Sequence, residues 1–88
     1  MPYIDAEARA RLGEGGRPES PGELNYAISR LVDQYLVDAG ELRYARLNEV
    51  VGALECAKLE VYRRLAVPYE EMKIREAGDV FQAGDGAG

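Results

Sequence analysis

Apolar positions recur along this 88-residue chain with a helical period. Leu24, Ile28, Leu31 and Tyr35 follow one another at spacings of four, three and four, and Ala27, Val32 and Leu36 broaden the stripe. Ser20-Pro21-Gly22-Glu23 stands just before it. Ser at the cap, Pro at the first helical position and Glu at the third form a capping box, in which hydroxyl and carboxylate satisfy backbone amides that have no helical partner. Gly40 supplies the stop, so the pattern predicts a helix over about 21–38. A second pattern starts near Leu42 to Tyr44 and meets no proline until Pro68, which predicts a helix over about 43–66. At about 100° per residue Leu47, Val51, Leu54, Val61 and Leu65 fall within roughly 40° of one line, with Val50 at the edge. Asn48, Gly52, Glu55, Leu59 and Tyr62 occupy a flanking face, and Arg46, Glu49, Glu60, Arg63 and Arg64 the wet one. So broad an apolar and small-residue surface needs more cover than one helix provides. Gly52 in mid-helix costs about 1 kcal/mol relative to Ala unless a close backbone approach requires it.

Beyond Pro68, Tyr69 to Ala77 reads as a short third helix over about 69–77, with Met72 and Ile74 apolar and Gly78 as its stop. The residue before a proline is pushed away from helical geometry, so Val67 is expected to mark a kink or break that lets the third helix fold back. At the other end Asp5 caps a possible two turns from Ala6 to Arg11. Gly13, Gly15 and Gly16 with Arg17 and Pro18 read as a flexible linker. Gln82 to Gly88, rich in Gly and Ala, is expected to be disordered. The organisation expected is a short helix and linker (1–19), a helical domain (20–78) and a tail (79–88). The fold class is all-α: an antiparallel helical hairpin plus a short C-terminal helix, assembled as a homo-oligomeric bundle.

The blocks Pro21-Gly22-Glu23-Leu24-Asn25-Tyr26, Asn48 to Arg64 (NEVVGALECAKLEVYRR), Pro68-Tyr69-Glu70 and Gly78-Asp79-Val80, with the opening Met1-Pro2-Tyr3-Ile4, carry a resemblance. The sequence resembles a family of small uncharacterised proteins of bacteria, archaea and their phages, over about residues 21–80. The resemblance implies a helical fold and a cellular or viral setting, and no established enzyme activity. Relatives look to have a longer helical segment where this chain has Gly13 to Pro18.

Composition narrows the chemistry. The chain is 47% apolar and 31% charged, with one Cys and no His. An internal disulfide is therefore excluded, and so are the Ser-His-Asp triad, the Cys-His pair and the common zinc sets. A domain this small buries only about 60% of its unfolded surface, which again favours self-association. The net charge of −5 argues against non-specific binding to duplex DNA. The sequence shows no run of 18 apolar residues and no signal peptide, and the expectation is a protein that avoids membranes and works in the cytoplasm, that of the host if a phage encodes it.

Charge is not uniform, however. Residues 56–75 hold Lys58, Arg63, Arg64, Lys73 and Arg75 against Glu60, Glu70 and Glu71, a local net of +2. Lys58 is placed in the middle of the Leu54, Val61, Leu65 stripe, where an unpaired buried ammonium would cost several kcal/mol. Either Glu55 pairs with it, or the stripe opens there on an anion. Arg63 and Arg64 sit near a helix end, where the macrodipole favours cations without any ligand.

Six tyrosines in 88 residues add rings. Tyr69 can stack on a base while Lys58, Arg63 and Lys73 hold phosphate, and these four are the candidate ligand-binding residues. Tyr26 and Tyr62, with Gly52 at a helix crossing, are the candidate interface. Glu55 points away from Glu49 and Glu60, no Glu-x-x-His signature exists, and Cys56 has no base beside it, so no metal, cofactor or catalytic set is expected. Two non-enzymatic readings follow. One is a homo-oligomer that sequesters an anionic nucleotide such as a cyclic dinucleotide signal, as a phage protein evading host immunity could. The other is a structural or adaptor protein that binds a host protein through its Tyr-rich faces.

Overall fold

The computed structural model describes residues 1–84, and every regular element among them is helical. Helix α1 spans Ala6–Gly13, α2 Pro21–Ala39, α3 Tyr44–Val61 and α4 Val67–Ala77, with a π-helical turn, Tyr62–Ala66, between the last two. The chain divides into two units, Met1–Val50 and Val51–Gly88, and the division falls inside α3. No helix among the described residues is long and apolar enough to cross a membrane. Residues 85–88 of the tail expected to be disordered lie outside the described residues.

In the first unit the predicted caps form. Asp5 Oδ1 accepts the Ala8 amide at 2.8 Å and Ser20 Oγ the Glu23 amide at 3.1 Å. The Glu23 carboxylate reaches back one residue further than a capping box requires, to the Glu19 amide at 3.1 Å. Its second partner is Arg11, which also reaches Glu19 at 3.4 Å and the Arg17 carbonyl at 2.8 Å. The glycine stretch is thus a turn laced to α1, with the Gly16 amide on the Arg11 carbonyl at 2.9 Å. Arg11 and Glu23 are partly covered, at 36% and 17% side-chain exposure, so this pair ties α1 to the start of α2 more firmly than an exposed pair would. Gly22 sits at a close approach: a Cβ there would lie 3.3 Å from the Met1 carbonyl oxygen, which would have to give by a few tenths of an ångström, and 3.5 Å from Ile4 Cγ2. Arg9 donates to the Ile4 carbonyl at 3.0 Å and lies 5.5 Å over the Tyr26 ring. The opening Met-Pro-Tyr-Ile and the Pro21–Tyr26 block, remote in sequence, therefore meet. At the far end of α2, Gly40 adopts φ +97, a conformation side chains rarely take, and its amide caps the Val37 carbonyl at 3.2 Å. Tyr35 donates to Glu49 at 3.4 Å, where Arg46 also pairs at 3.2 Å.

The half-buried positions of α2 do not include its strongest stripe. Tyr26, Ala27, Val32 and Leu36 are half-buried, whereas Leu24, Ile28, Leu31 and Tyr35 are exposed.

The second unit departs from expectation at Pro68. Val67 keeps helical angles (φ −61, ψ −50), and so does Ala66 (φ −71, ψ −43), so no break precedes the proline. Pro68 falls at the start of α4, and the helix begins at Val67 rather than 69. Steric pressure from the proline ring on the carbonyl four residues back is met by widening one turn, in which the Val67 amide donates to the Tyr62 carbonyl five residues back. The Arg63 carbonyl then receives neither the Val67 amide nor one from Pro68, which has none. α4 ends as predicted at Gly78, whose amide caps the Ile74 carbonyl at 2.8 Å.

Throughout the described residues no side chain is buried. From Val51 to Gly84 every residue is exposed except Ala66 and Val67, which are half-buried. The apolar residues of this stretch include Val51, Leu54, Leu59, Val61, Tyr62, Leu65 and Tyr69, all more than 40% exposed.

Candidate functional site

All four candidate ligand-binding residues lie in the second unit, but the helix does not gather them. Lys58 sits on the last turn of α3, Arg63 in the π turn, and Tyr69 and Lys73 on α4. Tyr69 and Lys73, four residues apart, meet: the ammonium lies 5.5 Å from the ring centroid. Arg63, five residues beyond Lys58, points roughly 140° away from it around the helix. Lys58 and Lys73 are about 22 Å apart along the axis at 1.5 Å per residue.

Each of the three cations also has a carboxylate neighbour three residues away on its own helix. Lys58 pairs with Glu55 at 3.6 Å, Arg63 with Glu60 at 3.2 Å and Lys73 with Glu76 at 3.4 Å. Lys58 is 71% exposed, so in the single chain it carries no burial penalty, and these surface pairs are worth at most about 1 kcal/mol each. Such pairs are weak enough to open for a stronger acceptor. Beside Lys73 the chain after α4 turns through Gly78, where the Phe81 amide meets Asp79 at 2.9 Å, and leaves a groove of about 350 Å³ with Ile74, Val80 and Phe81 on its walls. Glu70 and Asp79 line it as well.

Of the candidate interface residues, Tyr26 is half-buried beneath Arg9 and serves its own unit. Tyr62 is exposed at the start of the π turn. A Cβ on Gly52 would meet nothing within 4 Å, so nothing in the chain itself requires glycine there. Cys56 is exposed. No group of three or more His, Cys, Asp or Glu suited to a metal comes together among the described residues.

Two features escaped the reading of the sequence. The Arg11 cluster lies in the first unit, where a second groove of about 630 Å³ is lined by Asp5, Glu14, Glu19 and Glu23 around the guanidinium. A twelve-residue separation between Arg11 and Glu23 carries no local signal. The π turn is the other. Its signal is Pro68 itself, which implies a kink or break at Val67 as readily as a widened turn.

A family model described as a domain of unknown function (DUF6899) matches residues 1–80. The chain belongs to this family. The DUF6899 match takes in the opening tetrapeptide, the α1 segment and the π turn alike, so the two blocks that meet at Gly22 belong to one family unit. No curated protein and no solved structure matches the chain.

Proposed function

We propose that this DUF6899 chain is a non-enzymatic, self-associating protein that binds an anionic nucleotide, such as a cyclic dinucleotide, in the cytoplasm. The observation that carries the reading is the Tyr69–Lys73 stack, a ring and an ammonium 5.5 Å apart on a helix that its own chain leaves uncovered. A ring of this kind offers a face to a base, and the ammonium a partner to phosphate. Self-association is supported by the exposure of the apolar residues of α3 and α4 together with the Leu24, Ile28, Leu31, Tyr35 stripe of α2. Large exposed apolar patches commonly mark protein–protein interaction sites. In the assembly we propose, α2 and α3 run as an antiparallel hairpin, Gly52 takes the helix crossing, Tyr62 joins the interface, and two-fold symmetry doubles the cations around a shared ligand. A phage protein of this design would withdraw a host signalling nucleotide without altering it.

The experiment is calorimetry of the full chain against mono-, di- and cyclic dinucleotides, with the ligand recovered after heating. Binding tighter than about 100 μM, about −5.5 kcal/mol, with salt-weakened affinity and chemically intact ligand supports the reading. No binding at that level overturns it.

A second reading, an adaptor for a host protein through exposed tyrosines, is favoured by the carboxylate partners of Lys58, Arg63 and Lys73. Retention of one specific host protein by the immobilised chain, with no nucleotide bound, supports that reading instead.

A further inference from the structure

Glu70 and Lys73 stand three residues apart on α4, a spacing at which opposite charges usually pair, yet they do not pair with each other. Lys73 turns instead to Glu76 at 3.4 Å and to the Tyr69 ring at 5.5 Å. Glu70 has no ion pair and no side-chain hydrogen bond among the described residues, so both its oxygens stay open as acceptors. Both residues line the groove of about 350 Å³ between α4 and the chain beyond Gly78, whose walls are Ile74, Val80 and Phe81. Asp79 Oδ1 accepts the Phe81 amide at 2.9 Å and so ties down the segment that carries the ring, which is 74% exposed in the free chain. Among the described lining residues Lys73 is the one cation.

Each of these features selects for a part of a ligand. An apolar groove with an aromatic wall takes a flat ring. A carboxylate accepts and does not donate, and its two oxygens match two parallel N–H groups. A single ammonium takes a single anionic group, and the carboxylate of Asp79 keeps that group from the other end of the groove. Guanine is the common base that carries two adjacent donors, N1–H and the N2 amino group, on one edge. Adenine has a lone pair at N1, which a carboxylate repels.

We propose that the groove beside α4 is a guanine subsite, in which Glu70 accepts from N1–H and the N2 amino group, Phe81 stacks on the base and Lys73 holds phosphate. The inference rests on the nucleotide reading above and adds which base is bound and where. It needs only residues of one chain. Residues three apart on a helix have Cβ atoms about 5–6 Å from each other, and two long side chains extend that span, so one nucleotide meets Glu70 with its base edge and Lys73 with its phosphate. Tyr69 then serves to hold the Lys73 ammonium in place.

The test is calorimetry of the full chain with GTP, ITP and ATP, with cyclic di-guanylate and cyclic di-adenylate alongside. ITP keeps N1–H and lacks the N2 amino group, so it is expected to bind about tenfold more weakly than GTP, the loss of one charge-assisted contact. ATP lacks both donors and is expected to bind about a hundredfold more weakly. Glu70→Ala should bring GTP to within about threefold of ATP while ATP binds as well as before or better. Phe81→Ala should weaken all three by a similar factor, about tenfold, because stacking does not depend on the base edge. Circular dichroism should show the helix content of the parent in both variants, since neither side chain is buried. Equal binding of GTP and ATP by the parent, or a GTP preference that survives Glu70→Ala, overturns the guanine subsite while the nucleotide reading stands. Unchanged affinities in Phe81→Ala overturn the groove as the seat of the base. A parent chain that binds none of these nucleotides overturns the nucleotide reading and this inference with it.

Discussion

Met1–Val50 and the helical stretch Val51–Ala77 draw on the same kinds of residue and use them in opposite ways. The first ties itself together. Arg11 reaches Glu23, Glu19 and the Arg17 carbonyl, Arg9 covers Tyr26, and Ile4, Ala8 and Leu12 are half-buried. Among the described residues the second makes ion pairs only with its own turns, at spacings of three, and leaves all but Ala66 and Val67 exposed. A lone helix in water draws most of its stability from packing of an apolar face, which this stretch does not find within its own chain. Its apolar residues are as large as those of a core, so the difference lies in where the cover comes from. In our account the first unit half-buries part of α2 within its own chain, while its Leu24, Ile28, Leu31, Tyr35 stripe and the whole second unit take their cover from another copy.

The largest effect that can break this contrast is a charge in the second unit. Leu65 is 67% exposed in the single chain, where Leu65→Asp would change stability by no more than about 0.5 kcal/mol. If a second copy covers it, the substitution removes about 1.5–3 kcal/mol of burial per chain and adds the cost of a desolvated carboxylate. We expect dissociation and a large loss of helix content, read by light scattering and circular dichroism on the same sample.

Next comes Arg11→Ala in the first unit. It leaves the Glu23 carboxylate without its guanidinium and should cost about 1.5–3 kcal/mol, reduced by the partial exposure of the pair. Amide hydrogen exchange should accelerate in α1 and the glycine turn while the mass of the assembly is unchanged. A change of mass here would mean that the two regions share one source of stability.

A smaller effect, about 1 kcal/mol, is expected for Ser20→Ala, which removes the hydroxyl on the Glu23 amide. The smallest is Lys58→Met. The pair with Glu55 is exposed, so the melting temperature of the unliganded chain should barely move, while nucleotide affinity falls. A substantial loss of stability in that variant would place Lys58 in a buried ion pair instead.

Much of the fold was legible because helix ends are written locally. Asp5, Ser20, Gly40 and Gly78 announced their termini through short-range hydrogen bonds, and each makes the expected one. What local spacing could not convey was competition between responses. Pro68 can break a helix or widen it, and the dipeptide looks the same in both. The apolar stripe of α2 is exposed in the chain, and α1 meets α2 near its start instead, through Arg9 on Tyr26 and Arg11 on Glu23, contacts that no local spacing conveys. For the candidate site, the Tyr69–Lys73 contact was legible from a spacing of four. The separation of Arg63 from Lys58 was legible too, since five residues never share a helix face. The carboxylate partners at i,i+3 stood in the sequence as well, but their weight depended on exposure, which only the structure supplies.

The most direct measurement is the mass of the unmodified chain in solution. Sedimentation equilibrium at micromolar concentration should give an even multiple of the 9.7 kDa chain, with the helix content of the four described helices. A mass of 9.7 kDa with the helices intact would contradict the account, because the residues from Val51 to Ala77 would then be stable with nothing covering them.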